Sequence, residues 1–260
     1  MTRKTSIAIA LLVAVLGAIA IFGGFAGFGA SDHSTITANN DIPGDSCEDL
    51  PDHAELTDAL NGVVDEGGNR GDQWPGSRVI SAQKANTANA FSLPDGSGGI
   101  PGLALSTANL YSLVQPGGTL FGLQESNPVD IGVAYGGDAH DYGQPNDPMI
   151  GNKAGGVNVF GGGLGLYNEE GELLGGLGLS GDTSCSDHIK AWKVRDALGL
   201  DHVPAGVSPT GDDNIIHDVR VHPPTGHTVS EGGFGHPECD DTATEVANDL
   251  PETHPIGENP

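Results

Sequence analysis

The sequence predicts an α/β domain of the α+β kind, with helices packed on a small antiparallel sheet. Two observations carry that prediction. The stretch 155–199 reads as strand, tight turn, strand and helix, and three further segments carry apolar residues at helical spacing. In the first, Asn168-Glu169-Glu170-Gly171 supplies the turn, with Gly171 free to take a positive φ. Pairing Leu166 with Leu173 puts Phe160, Leu164, Leu166, Leu173, Leu177 and Leu179 on one face. Gly161, Gly163, Gly165, Gly176 and Gly178 then share the other. A slip of one residue would mix leucine and glycine on both faces, so the pattern selects its register. Glycine inside strands marks close approach by another backbone or by a ligand. A helix packed tightly on the glycine face is the plainer of those two readings.

Taken in order, the chain opens with Thr2-Arg3-Lys4 and an apolar run reaching Ala30. Residues 1–30 form a signal peptide or a retained N-terminal membrane anchor, and either implies export to the cell surface or beyond. Residues 31–49 are an acidic linker. A helix is expected over 54–64, with Leu56, Leu60, Val63 and Val64 on one stripe. A second is expected over 77–93, where Val79, Ala82, Asn86 and Asn89 share a face. A third is expected over 103–115, stopped by Pro116-Gly117-Gly118. Residues 119–123 suit a short strand and 127–149 a long ordered loop. After the central hairpin, Asp182 or Thr183 caps a helix that ends at Gly199. Asp187 complements the positive end of that helix, and Lys193 and Arg195 its negative end. A long histidine-bearing loop follows. Residues 240–260 hold acids and prolines without Lys or Arg, which predicts a disordered tail. The folded domain is thus 50–239.

Composition narrows the partners. Acidic residues number 35 against 10 basic, for a formal charge of −25. Nucleic acid is excluded, because phosphate binding needs clustered Lys and Arg. A membrane is met only through the N-terminal segment. With 42 glycines and 5% aromatics, the chain reads as a salt-adapted folded domain whose self-repulsion is screened by counterions. Ser180-Gly181-Asp182-Thr183 lacks the spacing of any dinucleotide or P-loop fingerprint, so no nucleotide cofactor is expected.

Four stretches together resemble the GlcG/HbpS-like haem-binding family in its longer secreted form. They are GGVNVFGGGLGLY, GGLGLSGDTSCSDH, SRVISAQKANTANAF and NLYSLVQPGGTLFGLQESNPVD. The resemblance covers roughly 56–239. It implies a profilin-like domain, ring-like homo-oligomers, and a small-molecule ligand, with haem or a related tetrapyrrole foremost. An enzyme acting on haem or a small hydroxy acid is the alternative, and a purely structural exported oligomer a third. One departure stands out. The family places a β-hairpin between the first two helices, but the eight residues DEGGNRGD cannot hold two strands and a turn. The sheet is therefore expected to lack its first hairpin.

Candidate ligand-binding residues are Arg78, Lys84 and Thr87 on the second helix, Gly163 and Gly165 on the hairpin, and Asp187 and His188 beyond it. Lys84 suits a carboxylate or haem propionate, against the plain reading of a solvated surface charge. His188 is the first choice for a haem axial ligand. No catalytic residue is assigned, because no nucleophile has a recognisable elbow or base pattern. Export favours a disulfide among Cys47, Cys185 and Cys239. Cys47 and Cys239 bracket the domain and are the favoured pair. Related long members carry a further cysteine in the absent hairpin, which leaves Cys185 without its mate. Cys185-x-x-His188 and His236-x-x-Cys239 have zinc-like spacing, but nothing in the sequence makes the pairs converge, and no metal is assigned.

Overall fold

The structure, a computed structural model, describes residues 49–65, 75–94, 102–222 and 226–257. Its longer elements are α1 (His53–Asp65), α2 (Pro75–Phe91), β1 (Gly163–Tyr167), β2 (Leu173–Gly178), α4 (Ser184–Ala197) and α5 (Ala243–Thr253). Between α2 and β1 lies a single helical turn, α3 (Ile131–Ala134), and after α4 a three-residue hairpin, β3 (Val219–Val221) with β4 (Thr228–Ser230). Helices with two small antiparallel sheets make this an α+β fold. The join between α1 and α2, where the absent hairpin was inferred, lies outside the described residues, as do the N-terminal segment, the linker and Cys47. Among the described residues no helix is long and apolar enough to cross a membrane.

The central hairpin keeps the expected faces with a different register. Leu166 pairs with Gly175, two residues from its expected partner, and Leu164 pairs with Leu177. An even shift preserves which side chains share a face. A bulge beside Tyr167 then moves Leu173 to the glycine side, where it neighbours Gly165. Phe160, expected in the core, stands 45% exposed. The remaining leucines of that face, Leu164, Leu166, Leu177 and Leu179, pack with α1 and α4 through Leu56, Leu60, Ala191, Trp192 and Val194.

The glycine face is covered by α2. A Cβ built on Gly163 would lie 2.6 Å from the Lys84 carbonyl oxygen, and one on Gly178 would lie 2.6 Å from the Ala85 nitrogen. Gly176 faces the Ala85 carbonyl in the same way. The hairpin thus seats directly on the backbone of α2, an approach no larger residue permits. That seat explains why α2 is buried on most sides and is built from Ser, Ala, Asn and Thr. The turn forms as expected, with Gly171 at φ 74°. Thr183 caps α4 by accepting from the Ser186 N–H, and Gly199 leaves it at φ 65°.

Three expectations fail. Residues 103–115 form no α-helix. Leu103 bridges to Leu93, and two 3-10 turns follow at Ala108–Leu110 and Ser112–Val114. The Asn109 side chain accepts from both the backbone and the hydroxyl of Ser106, the local bonding that competes with a helix ladder. Residues 119–123 make consecutive turns rather than a strand, with Phe121 N–H bonded to Gly118 O and Leu123 N–H to Leu120 O. The acidic tail is not disordered over 243–253. It forms α5, burying Ala243, Ala247 and Leu250, and the Trp192 indole N–H donates to His254 O at 2.9 Å. The loop over 127–149 is ordered, as expected, around buried Asp147.

Candidate functional site

The start of α4, the glycine turn before β1 and the segments 214–217 and 236–239 meet at one corner. Thr107 fixes the turn: its hydroxyl donates to Phe160 O and accepts from Gly163 N–H at 2.9 Å. Behind the turn, Lys84 Nζ donates to Asp187 and to Leu179 O, each at 2.9 Å. Both side chains are 2% exposed, so the plain reading of Lys84 as a solvated charge is corrected. Burial pushes the Lys84 ammonium down and the Asp187 carboxyl up, and their mutual attraction opposes both shifts. Asp187 also accepts from Asp182 N–H at 3.0 Å, which locks the entry to α4.

The other predicted ligand residues are internally engaged as well. Arg78 sits apart, in a two-point pair with Asp147 and a bond to Ala134 O, with the Tyr142 ring 3.9 Å from its guanidinium carbon. Thr87 donates to Gln83 O and accepts from Asn158 N–H. Gly163 is filled by Thr107 and α2, and Gly165 by Tyr167 and Leu173. His188 is fully buried, and its Nε2 accepts from Ile215 N–H at 3.1 Å. Burial, and secondarily the Arg195 charge, push its pKa down to about 3. The structure therefore joins Lys84, Asp187, His188 and Gly163 in one neighbourhood as framework, leaving Arg78, Thr87 and Gly165 elsewhere. This set does not fit a haem: the Nε2 lone pair of His188 is taken by Ile215 N–H, and its buried, unpartnered Nδ1 carries the proton of the neutral ring.

Donors are found one layer outward, on His217, which the sequence did not single out, and on His236, which stood out there only by its zinc-like spacing to Cys239. His236 N–H bonds to Ile216 O at 2.7 Å, which sets His217 beside His236 with ring centroids 6.3 Å apart. The Nδ1 of His217 lies 3.2 Å from His236 O, and the Nδ1 of His236 lies 2.7 Å from Pro237 O. A carbonyl can only accept, so each ring carries its proton on Nδ1 and turns an Nε2 lone pair the other way. Both Nε2 atoms are buried and unpartnered. Burial lowers both imidazoles, His236 to about 4, so they are neutral at pH 7. A histidine whose other ring nitrogen donates to a backbone carbonyl is oriented for metal ligation. Tyr111 stacks 5.0 Å from His236, and the exposed Phe160 ring lies 6.2 Å from Tyr111.

The disulfide closes the same corner. It joins Cys185 to Cys239 with Cα atoms 6.0 Å apart, correcting the expected Cys47–Cys239 pair. Cys185 is on the first turn of α4 and Cys239 just ahead of α5, so the bond ties two helix starts together. Asn214 strengthens the join by donating to Ala247 O at 2.7 Å.

The architecture is that of an α+β domain with oriented imidazoles at one corner. Residues 68–195, just under half of the chain, match the family model described as haem degrading protein HbpS-like. The matched segment includes Lys84, Asp187 and His188, whereas His217, His236 and Cys239 lie beyond it. No curated protein and no solved structure shows significant similarity to the chain.

Proposed function

We propose that this is an exported binding protein for haem or a related tetrapyrrole, whose iron is offered the imidazoles of His217 and His236. The observation that carries the reading is the pair of neutral rings, each holding its Nδ1 proton on a carbonyl and presenting an unpartnered Nε2. Histidine nitrogen is the common axial donor to haem iron. Tyr111 and Phe160 add aromatic surface beside them, the chemistry that suits a flat apolar macrocycle. Bound haem would supply iron coordination and redox chemistry. The chain's part is to orient the donors, hold them neutral and brace them through Lys84–Asp187 behind. The disulfide suits an oxidising compartment, which supports export. Ile131, Tyr135 and Phe121 stand 74%, 51% and 65% exposed, which supports self-association.

The family description favours one second reading, haem breakdown. Titration of haemin into the purified protein in high salt, with light scattering on the same sample, separates the possibilities. A saturating Soret shift is expected, lost in His217→Ala/His236→Ala and kept in His188→Gln, on a particle larger than one chain. A full Soret shift in the double variant would remove these histidines from the iron. Soret bleaching after a reductant is added would move the reading to an enzyme.

A further inference from the structure

The corner that carries the imidazoles also carries the disulfide, and the three elements meet closely. Donor atoms of Cys185, His236 and Cys239 all lie within 4.8 Å of one another. Cys185 and His236 are each 3% exposed, and Cys239 is half-buried, open enough for a reductant to reach. The backbone N–H of Cys185, in the first turn of the fourteen-residue α4, donates to the Cys239 sulfur at 3.2 Å. An N–H at a helix start stabilises negative charge on sulfur, as in low-pKa cysteines. The second sulfur has a polar neighbour too, Pro237 O at 3.7 Å from Cys185 Sγ. A ring nitrogen of His236 lies with both sulfurs inside that 4.8 Å.

We propose that reducing the Cys185–Cys239 disulfide converts this corner into a divalent-cation site of two thiolates and one imidazole, with the ligand chemistry of zinc. A disulfide sulfur is a poor ligand and a thiolate a strong one, so the same atoms ignore zinc when oxidised and bind it when reduced. In the first step a dithiol reductant gives up two hydrogens and closes its own disulfide, while the Cys185–Cys239 bond opens to two thiols. In the second, Zn2+ displaces one proton from each sulfur and takes a nitrogen of His236. Zinc–sulfur and zinc–nitrogen bonds are about 2.3 and 2.0 Å, so small side-chain movements suffice once the bond opens: the sulfurs part from bonding distance, and the imidazole, already within 4.8 Å, draws in. Three protein ligands leave a fourth position for water or another donor. The ion would replace the disulfide as the tie between α4 and the segment leading into α5. His188, the fourth residue of the zinc-like spacing, stays outside the set, because its Nε2 accepts from Ile215 N–H.

The test uses the full chain carrying Cys47→Ser, so that Cys185 and Cys239 are the sole thiols, with Co2+ as the spectroscopic probe. The reduced protein, freed of reductant, should bind one Co2+ with a near-ultraviolet thiolate-to-cobalt band and tetrahedral visible bands. Zn2+ should erase both. The oxidised protein should show no thiolate band, whether or not it takes up haem, which keeps this result separate from the haem reading. His236→Ala and His236→Asn should each weaken Co2+ binding more than about tenfold, as expected for losing one protein ligand. Absence of a thiolate band in the reduced chain overturns the proposal. So does an affinity that neither His236 variant changes, or one that Cys239→Ser leaves intact.

Discussion

His188 has lost the surroundings in which an imidazole titrates near neutrality. Trp192 lies 6.3 Å from its ring, Ile215 N–H occupies its Nε2, and Arg195, His217 and His236 all disfavour a positive charge there. Its folded pKa of about 3 lies below the unfolded value of about 6.5. The neutral ring therefore contributes stability that is complete above pH 6.5 and drains as pH falls toward 3. Between those limits unfolding takes up one proton, a slope of about 1.4 kcal/mol per pH unit. Urea unfolding from pH 7 to 4 should show stability falling on acidification, with a shallower fall in His188→Gln. Equal slopes in the two proteins would mean that this ring titrates normally. Single residues were unevenly legible from sequence. Lys84 and Asp187 stood out as candidate ligand residues before and after the hairpin, and they do meet. Arg195 looked like a charge suited to a helix end, yet it is fully buried in a two-point pair with Asp213 at 2.7 and 2.8 Å. His217 gave no signal and His236 only its spacing to Cys239, because their value as a pair comes from carbonyls aligned across segments with no periodicity to read.

At the level of elements, the seam between α2 and the hairpin makes a sharp claim. Strand propensity alone would make Gly163→Val neutral or mildly stabilising. The seated helix makes it destabilising instead, by about 1–3 kcal/mol, because the new side chain meets Thr107 and the Lys84 carbonyl. Gly62 is the control: in α1, with nothing within 4 Å of a built Cβ, Gly62→Ala should gain roughly 0.5–1 kcal/mol. Equilibrium denaturation of both variants decides, and a stable Gly163→Val protein would show that the seam is loose. Elements were readable where pattern and packing agree. The alternation of leucine and glycine gave the hairpin faces, since parity survives a two-residue shift. The bulge that re-aims Leu173 left no trace in the pattern. The expected third helix gave way to side-chain bonds at Ser106 and Asn109. In α5 the stripe Ala243, Ala247, Leu250 was present in the sequence, but the surrounding acids masked it.

At the scale of the whole molecule, four of the seven bases among the described residues are spent inward. Arg78, Lys84, Lys190 and Arg195 each pair with an aspartate, and all four are at most 7% exposed. The outer surface is left strongly acidic, with an exposed Arg220–Glu231 contact of 3.9 Å among the few cationic features. Repulsion of that kind is relieved by screening. The melting temperature should therefore fall on transfer from molar to millimolar KCl, and a value unchanged or higher in dilute salt would end the salt-adaptation reading. The charge count was plain in the sequence, but its division into buried bases paired with aspartates and an acidic exterior needed the fold. That division also decides what a trypsin-like protease would find. Such an enzyme must seat a lysine or arginine side chain in its pocket, and four of these are folded away. From 102 to 222 it is left with exposed Lys153 and Arg220 and half-buried Lys193, so the folded chain offers long stretches with nothing to grip.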